Sequence, residues 1–143
     1  MKKVLENKTV FITGTARGIG KSLVEVCAAH GANIIAHARK EDVGHKEFCE
    51  KISEENGIRI FPSYFDLTDQ GAVKNAFKEI CALKISVDGL VNNAGIGGNS
   101  LFQMTRMEEL REIFEVDFFG PYFLTQCIVK LMLRQKRGSI VNI

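Results

Sequence analysis

Three glycines follow the apolar run 9–12 within the segment Thr13-Gly14-Thr15-Ala16-Arg17-Gly18-Ile19-Gly20. A turn of this kind between a strand and a helix is typical of sites that bind the diphosphate of a dinucleotide. Without side chains at Gly14 and Gly18, the backbone can approach a diphosphate closely, and Gly20 lets the helix pack on the strand. The free N–H groups at the start of that helix then face the anion. The spacing Gly-x-x-x-Gly-x-Gly differs from the commoner Gly-x-Gly-x-x-Gly, so the turn alone is weak evidence.

Short apolar runs alternate with segments of helical periodicity along the whole chain. The runs that we predict as strands are Thr9–Thr13, Asn33–Ala38, Arg59–Tyr64, Gly89–Val91 and Ser139–Ile143. Alternating strands and helices predict a parallel sheet covered on both faces. We therefore expect an α/β fold with a Rossmann-like doubly wound parallel sheet in the order 3-2-1-4-5, truncated after the fifth strand.

The first three helices have recognisable ends. The helix after the glycine turn stops at Gly31, which is suited to the position after a helix end, and a more polar helix, about Asp42–Glu55, ends near Gly57. A third helix begins near Asp69, with Thr68 or Asp69 as its cap. Its apolar residues recur at helical spacing and are Val73, Ala76, Phe77 and Ile80.

The fourth helix is unusually apolar. The segment Thr105-Arg106-Met107-Glu108 reads as a capping box, with the helix starting at Met107. From Phe114 to Leu133 it is apolar nearly all round, which favours a homo-oligomer contact through Met107–Arg134 or a missing element that covers it. An ordinary core helix is the alternative. Pro121 has no N–H, so it leaves the carbonyl of Asp117 free and predicts a kink there. The kink is either simple packing or a device that frees this carbonyl.

Composition narrows the class of protein. The chain has 143 residues, 45% of them hydrophobic, and a net charge of +2 from 19 basic and 17 acidic residues. This fits one domain with a core, and the near balance argues against nucleic acid as a partner. The charged segment 1–7 is unlike a signal peptide, and no uninterrupted apolar stretch is long enough to span a membrane. We expect a cytoplasmic protein.

The cysteines and histidines show no ligand pattern. The cysteines are far apart, without Cys-x-x-Cys, and all fall in predicted helices: Cys27, Cys49, Cys81 and Cys127. We interpret them as reduced thiols rather than disulfides or metal ligands. The histidines lack ligand spacing, and we expect surface or edge positions for His30, His37 and His45.

Further residues stand where a dinucleotide fold needs them. Arg39 follows the second strand, where a cation suits the 2′-phosphate of NADP(H) and an acid would suit a free 2′-OH. Arg17 could close on the same phosphate, although two solvated arginines remain the alternative. Asp66 follows the third strand and can accept a hydrogen bond from adenine, or act only as a helix cap. After the fourth strand, Asn92-Asn93-Ala94-Gly95 can form a tight turn beside the cofactor, or a purely structural one.

In combination, the segments Thr13–Gly20, Asp66–Asp69 and Asn92–Gly95 resemble the short-chain dehydrogenase/reductase family, in its single-domain branch. Within that family the chain resembles reductases of the 3-oxoacyl-(acyl carrier protein) type in general likeness. The resemblance implies NAD(P)(H), with NADP(H) preferred, and a small carbonyl or alcohol substrate. It assigns cofactor contacts to Gly14, Thr15, Arg17, Gly18, Ile19, Gly20, Arg39, Asp66, Leu67, Asn93, Ala94 and Gly95.

The chain departs from the family pattern at its catalytic residues. The family uses an Asn in the long helix, then a Ser, then Tyr-x-x-x-Lys; the Asn position matches Asp117. The only tyrosines, Tyr64 and Tyr122, are not followed by Lys at the fourth position. We therefore expect residues 1–143 to be an incomplete NAD(P)-binding domain without its own proton donor. The alternatives are a catalytically silent nucleotide-binding module and a fragment that folds only with a partner.

Overall fold

The computed structural model describes residues 3–143; Met1 and Lys2, within the charged N-terminal segment, lie outside the described residues. The strands are β1 (Thr9–Ile12), β2 (Asn33–Ala38), β3 (Ile60–Tyr64), β4 (Gly89–Asn92) and β5 (Ser139–Asn142). The α-helices are α1 (Gly18–Ala29), α2 (Val43–Asn56), α3 (Gln70–Ala82), α4 (Met107–Phe114) and α5 (Gly120–Gln135). A 3₁₀ turn, Phe102–Met104, precedes α4.

The five strands form one parallel sheet in the order β3-β2-β1-β4-β5. The register pairs Phe11 of β1 with Ile35 on one side and Leu90 on the other. After β1 the chain adds β2 and β3 on one side, and it then crosses back to add β4 and β5 on the other side. The connections on the two sides of β1 diverge, which opens a crevice at the carboxyl ends of the strands. The predicted Rossmann-like fold and strand order are confirmed.

Alternate residues of the strands enter two separate cores. Val10 and Ile12 pack with the buried faces of α1 and α2, while Phe11 packs with α3 and α5. Because successive side chains of a strand point to opposite faces, β1 must be buried at every position when helices cover both faces. All four residues of β1 are buried.

Most helix ends agree with the predictions. Asp42 caps α2 by accepting from the His45 N–H at 2.8 Å, and Asp69 caps α3 by accepting from Ala72 at 3.0 Å. Gly57 ends α2 in the left-handed conformation, with φ of 64°. The predicted capping box is wrong: α4 does start at Met107, but the Thr105 hydroxyl donates to the Leu101 carbonyl and caps nothing.

The long apolar helix is continuous from Met107 to Gln135 but contains a π-helical turn, Glu115–Phe119. This turn ends two residues before Pro121, and it includes Asp117, where the kink was predicted. A π turn accommodates the proline because it changes the hydrogen-bond partners of the preceding carbonyls.

The two sides of this helix differ in burial. Leu124, Ile128 and Met132 are buried against α3 and the sheet. Elsewhere the helix leaves seven large apolar side chains exposed: Met107, Leu110, Phe114, Phe118, Phe119, Tyr122 and Leu133. By length and composition, Met107–Gln135 could also cross a membrane, although charged residues such as Asp117 and Lys130 interrupt its apolar sequence. A core helix of a soluble protein passes the same test, so this is weak evidence.

Candidate functional site

A cleft of about 450 Å³ opens at the carboxyl ends of β1 and β2. Its walls come from the glycine-rich turn, the end of β2, the segment after β3 and the turn after β4. Of the residues that the sequence assigned to the cofactor, all but Thr15 line it: Gly14, Arg17, Gly18, Ile19, Gly20, Arg39, Asp66, Leu67, Asn93, Ala94 and Gly95. The fold thus brings together residues up to 81 positions apart along the chain.

The three glycines of the turn are required for different reasons. Gly14 has a φ of +71°, and a Cβ there would lie 2.8 Å from the Ala94 Cα. A Cβ on Gly20 would overlap the Gly14 carbonyl oxygen. At Gly18, with φ of +57°, a Cβ would meet nothing within 4 Å. Gly14 and Gly20 therefore serve close packing, while Gly18 leaves open space in front of the first turn of α1.

Thr15 does not reach the cleft. It is fully buried, and its Oγ1 donates to the His37 carbonyl at 3.0 Å and lies 2.8 Å from His45 Nε2. The predicted surface or edge positions of the histidines are wrong for two of the three. His37 and His45 are only 2% and 3% exposed, because hydrogen bonds satisfy their ring nitrogens inside the fold.

The turn after β4 is bonded directly to the glycine-rich turn. Thr13 Oγ1 accepts from the backbone N–H groups of Asn93 and Ala94 at 3.0 and 2.9 Å. The Asn93 side-chain amide donates back to the Thr13 carbonyl at 2.9 Å. These bonds fix the relative position of two walls of the cleft, so the turn has a structural role whatever it contacts in the cleft.

Arg39 and Asp66 face each other across the mouth of the cleft, with Arg39 Nε 3.0 Å from Asp66 Oδ2. Asp66 Oδ1 accepts from the amide and hydroxyl of Thr68. Partial burial by itself raises the pKa of Asp66, but the Thr68 hydrogen bonds and the Arg39 guanidinium hold that pKa below its usual range. Asp66 is therefore a carboxylate at neutral pH, and the exposed Arg17 is the second cation in the cleft wall.

A second cleft, of about 610 Å³, adjoins the first, and Ala94 and Gly95 line both. Asp117 and Tyr122 lie in its wall, and Asp117 Oδ1 accepts from the Ile96 N–H at 2.8 Å. This bond ties the π-helical turn to the loop after β4.

Asn92, at the inner end of the second cleft, donates to Thr125 Oγ1 and to Asn142 Oδ1. Its own Oδ1 is buried without a partner in the described structure. Among residues 3–143, no group of three or more His, Cys, Asp or Glu could hold a metal ion. The four cysteines are free thiols on α1, α2, α3 and α5.

Sequence reasoning did not assign some residues to the first cleft. These are Ala16, His37, Ala38, Ile96 and Val116. Ala16 and Ala38 lie within or beside segments already singled out, so their positions in the chain could have found them. His37 and Val116 carry no sequence signal, because they reach the cleft only through the packing of β2 and the long helix.

Comparison with known proteins finds a match to the family model for short chain dehydrogenase over residues 8–143. The chain is 32% identical, over its full length, to 57% of 3-oxoacyl-[acyl-carrier-protein] reductase FabG from Aquifex aeolicus. Over 99% of the chain it is 34% identical to 45% of dehydrogenase/reductase SDR family member 7B from Rattus norvegicus. The chain thus spans about half the length of the curated relatives that it matches.

A solved structure gives a similar result. L-sorbose reductase from Gluconobacter frateurii, complexed with NADPH and L-sorbose, superposes with a TM-score of 0.90 and 27% identity. The match covers 99% of this chain and 54% of that protein.

Proposed function

Since the chain belongs to the short-chain dehydrogenase family, we propose that residues 1–143 form the NADP(H)-binding domain of an oxidoreductase. The proposed reaction transfers hydride between the nicotinamide and a small carbonyl or alcohol substrate. The family membership supports an oxidoreductase that uses a nicotinamide cofactor. The choice of NADP(H) and the role of this chain rest on the cleft itself.

One observation carries the proposal: two arginines, Arg17 and Arg39, line the same cleft as the glycine-rich turn. Arg39 directly follows β2, where a Rossmann-like fold places the adenosine ribose. A guanidinium there offers charge-assisted hydrogen bonds to a 2′-phosphate, whereas an acidic residue would repel it. The solved relative complexed with NADPH and L-sorbose is consistent with this preference.

The rest of the cleft fits a dinucleotide. The open space before Gly18 and the N-terminus of α1 suits a diphosphate, because four N–H groups of a helix start have no partner within the helix. Asp66 and Leu67 would contact the adenine, and Asn93, Ala94 and Gly95 would flank the second ribose. The adjoining cleft, with Asp117 in its wall, would take the nicotinamide and the substrate.

Neither tyrosine of the chain fits the Tyr-x-x-x-Lys pattern of the family's proton donor. Tyr64 donates its hydroxyl to His45 Nδ1, and Tyr122, which lies in the wall of the second cleft, is followed at the fourth position by Gln126 instead of Lys. Asp117 holds the Ile96 N–H and would position the loop after β4. The bound cofactor supplies the hydride, but this chain offers no acid for the developing alkoxide. We therefore propose that the 143 residues alone bind cofactor without turnover, which also keeps the silent nucleotide-binding module as the second candidate.

The exposed aromatic side of the long helix supports a homo-oligomer as a further part of the proposal. Phe114, Phe118 and Tyr122 lie on that side, about half exposed each, and Phe118 stacks on Tyr122. Clustered apolar surface of this kind is typical of subunit contacts. A cytoplasmic location is proposed with it, since the opposite side of the same helix packs in the core.

The experiment is a titration of NADPH and NADH into the purified chain and its Arg39→Asp variant. Losing a charge-assisted contact of roughly 1.5–3 kcal/mol should weaken NADPH binding about tenfold or more. Arg59→Asp is the matched control. It changes the charge by the same amount, but Arg59 precedes β3 and so lies at the end of the sheet opposite the cleft. Equal affinity of the parent for NADPH and NADH contradicts the proposed preference.

A further inference from the structure

A buried polar network lies beneath the glycine-rich turn and has no part in the function proposed so far. Its members are Thr15, His37, His45 and Tyr64, which come from the turn, β2, α2 and β3. Burying polar groups costs free energy unless each is hydrogen-bonded, so a buried network of four polar side chains suggests a specific role.

The ring of His37 bridges two segments of backbone. Its Nε2 lies 2.8 Å from the Phe65 carbonyl oxygen, and its Nδ1 lies 3.3 Å from the Gly14 nitrogen. A carbonyl oxygen can only accept, so Nε2 carries the proton. Nδ1 is then free to accept the Gly14 N–H. The neutral ring in this one tautomer satisfies both contacts.

The second branch holds the next residue of the turn. The Thr15 N–H and hydroxyl both donate to the His37 carbonyl, at 2.8 and 3.0 Å. Thr15 Oγ1 accepts from His45 Nε2 at 2.8 Å, and the Tyr64 hydroxyl donates to His45 Nδ1 at 2.9 Å. A single assignment of protons therefore gives every contact from Tyr64 to Thr15 one donor and one acceptor.

The network thus anchors Gly14 and Thr15, the first two residues of a turn that contains two glycines at positive φ. Glycine-rich backbone loses more conformational entropy on ordering than other backbone does. A turn that is already held in place spares the ligand that cost, which raises affinity without a new contact. His37 also lines the cleft, so it lies at the junction between the network and the site.

We propose that His37 is a positioning residue of the cofactor site: as a neutral ring it holds the Gly14 N–H and fixes the glycine-rich turn for the diphosphate. This inference rests on the proposed cofactor-binding function. It assigns His37 an effect on the diphosphate end of the ligand, through Gly14, rather than a contact with the reacting atoms.

The groups around His37 favour its neutral form. Burial lowers the pKa of His37 to about 4; the Phe65 hydrogen bond and Asp66 oppose this, and His45 adds to it. Burial also lowers the pKa of His45, and the charge of Asp42 opposes that lowering. A proton on Nδ1 would face the Gly14 N–H donor to donor, so the contact exists only while the ring is neutral.

The test compares three variants of the 143-residue chain. His37→Asn keeps an acceptor near the position of Nδ1, His37→Gln keeps a donor near the position of Nε2, and His37→Phe keeps the volume of the ring without either. Each is titrated with NADPH, which carries the diphosphate, and with adenosine 2′-monophosphate, which does not. Thermal unfolding followed by circular dichroism checks that each variant is folded.

We expect His37→Gln and His37→Phe to bind NADPH about tenfold more weakly than the parent, and His37→Asn to stay within about threefold. Affinity for adenosine 2′-monophosphate should not change in any variant. NADPH affinities equal to the parent's in folded His37→Gln, or equal losses for both ligands, would overturn the positioning role. A parent chain that binds neither ligand would instead overturn the proposed function.

Discussion

The guanidinium of Arg39 and the carboxylate of Asp66 are paired with each other, with Nε and Oδ2 3.0 Å apart. The sequence assigned these two residues to different parts of the cofactor, the 2′-phosphate and the adenine. In the described structure they meet across the mouth of the cleft, so a 2′-phosphate has to compete with Asp66 for Arg39. A change at either residue should therefore affect binding of both the 2′-phosphate and the adenine.

Asp66→Asn should raise the ratio of NADPH affinity to NADH affinity. The amide keeps an oxygen for the Thr68 N–H but no longer attracts Arg39, which is then free for a 2′-phosphate. Because the pair is largely exposed, its worth is at most about 1 kcal/mol, which predicts an increase of about threefold to fivefold. Fluorescence titration of both cofactors measures the ratio. Asp69→Asn is the control, because Asp69 lies outside the cleft at the cap of α3, and it should leave the ratio unchanged. An unchanged ratio in Asp66→Asn would show that Asp66 does not compete with the 2′-phosphate for Arg39.

Stability should fall on acidification from pH 7 to pH 5. His37 is neutral in the folded state down to a pKa of about 4, whereas an unfolded histidine takes up a proton near 6.5. Between these two values the unfolded chain binds more protons, so the free energy of unfolding decreases as the pH falls, by about 2 kcal/mol at pH 5 for this residue alone. The lowered pKa of His45 acts in the same direction.

Urea denaturation at the two pH values measures this dependence. His37→Asn removes the His37 ring and should reduce the loss by about 2 kcal/mol. His30→Asn is the control, since His30 lies outside the network at the end of α1. The same pH dependence in His37→Asn and in the parent would mean that His37 is not held neutral.

The chain should self-associate at micromolar concentration. Phe118 and Phe119 are 56% and 52% exposed on the long helix, and β5 pairs with β4 along one edge only within the described sheet. Burying a side chain of this size contributes about 1.5–3 kcal/mol, so several of them together favour contact with a second copy. Sedimentation velocity measures the mass, and Phe118→Glu should shift it toward the monomer.

A matched control exists for this substitution. Phe102 is 96% exposed in the 3₁₀ turn before the long helix rather than on it, so Phe102→Glu should leave the association unchanged. A parent chain that stays a monomer and melts cooperatively would show that these surfaces do not drive association.

The strands could be predicted from the sequence to within one residue at each end. Runs such as Thr9–Ile12 are short, mostly apolar and bounded by polar or glycine residues. This pattern is typical of strands that are buried on both faces. The cap at Asp69 was likewise a local signal. Thr105 shows the limit of such signals, because its hydroxyl has the alternative of bonding the preceding 3₁₀ turn.

The buried network could not be predicted in the same way. His37 and His45 have no periodic pattern, and their partners, among them Phe65 and Tyr64, lie elsewhere in the chain. Thr15 appears in a motif whose neighbours line the cleft, yet the turn directs its side chain inward. A motif indicates which segment forms a site, but the direction of each side chain depends on backbone angles that the motif does not specify.

The central claim is that a dinucleotide binds with its diphosphate at the glycine-rich turn, and Gly18 tests it most directly. Gly18→Asp places a carboxylate in the open space before α1, where it would repel a diphosphate. Gly57→Asp is the matched control, because Gly57 has a similar φ, of +64°, and equally open surroundings at the far end of α2.

The measurement is the dissociation constant of NADPH for the parent and both variants, with thermal unfolding as the check on folding. The account predicts that Gly18→Asp weakens binding by more than about tenfold, since a carboxylate beside the diphosphate adds like-charge repulsion to the loss of open space. Gly57→Asp should bind NADPH as the parent does. Undiminished binding by a folded Gly18→Asp variant would contradict the account and place the cofactor elsewhere.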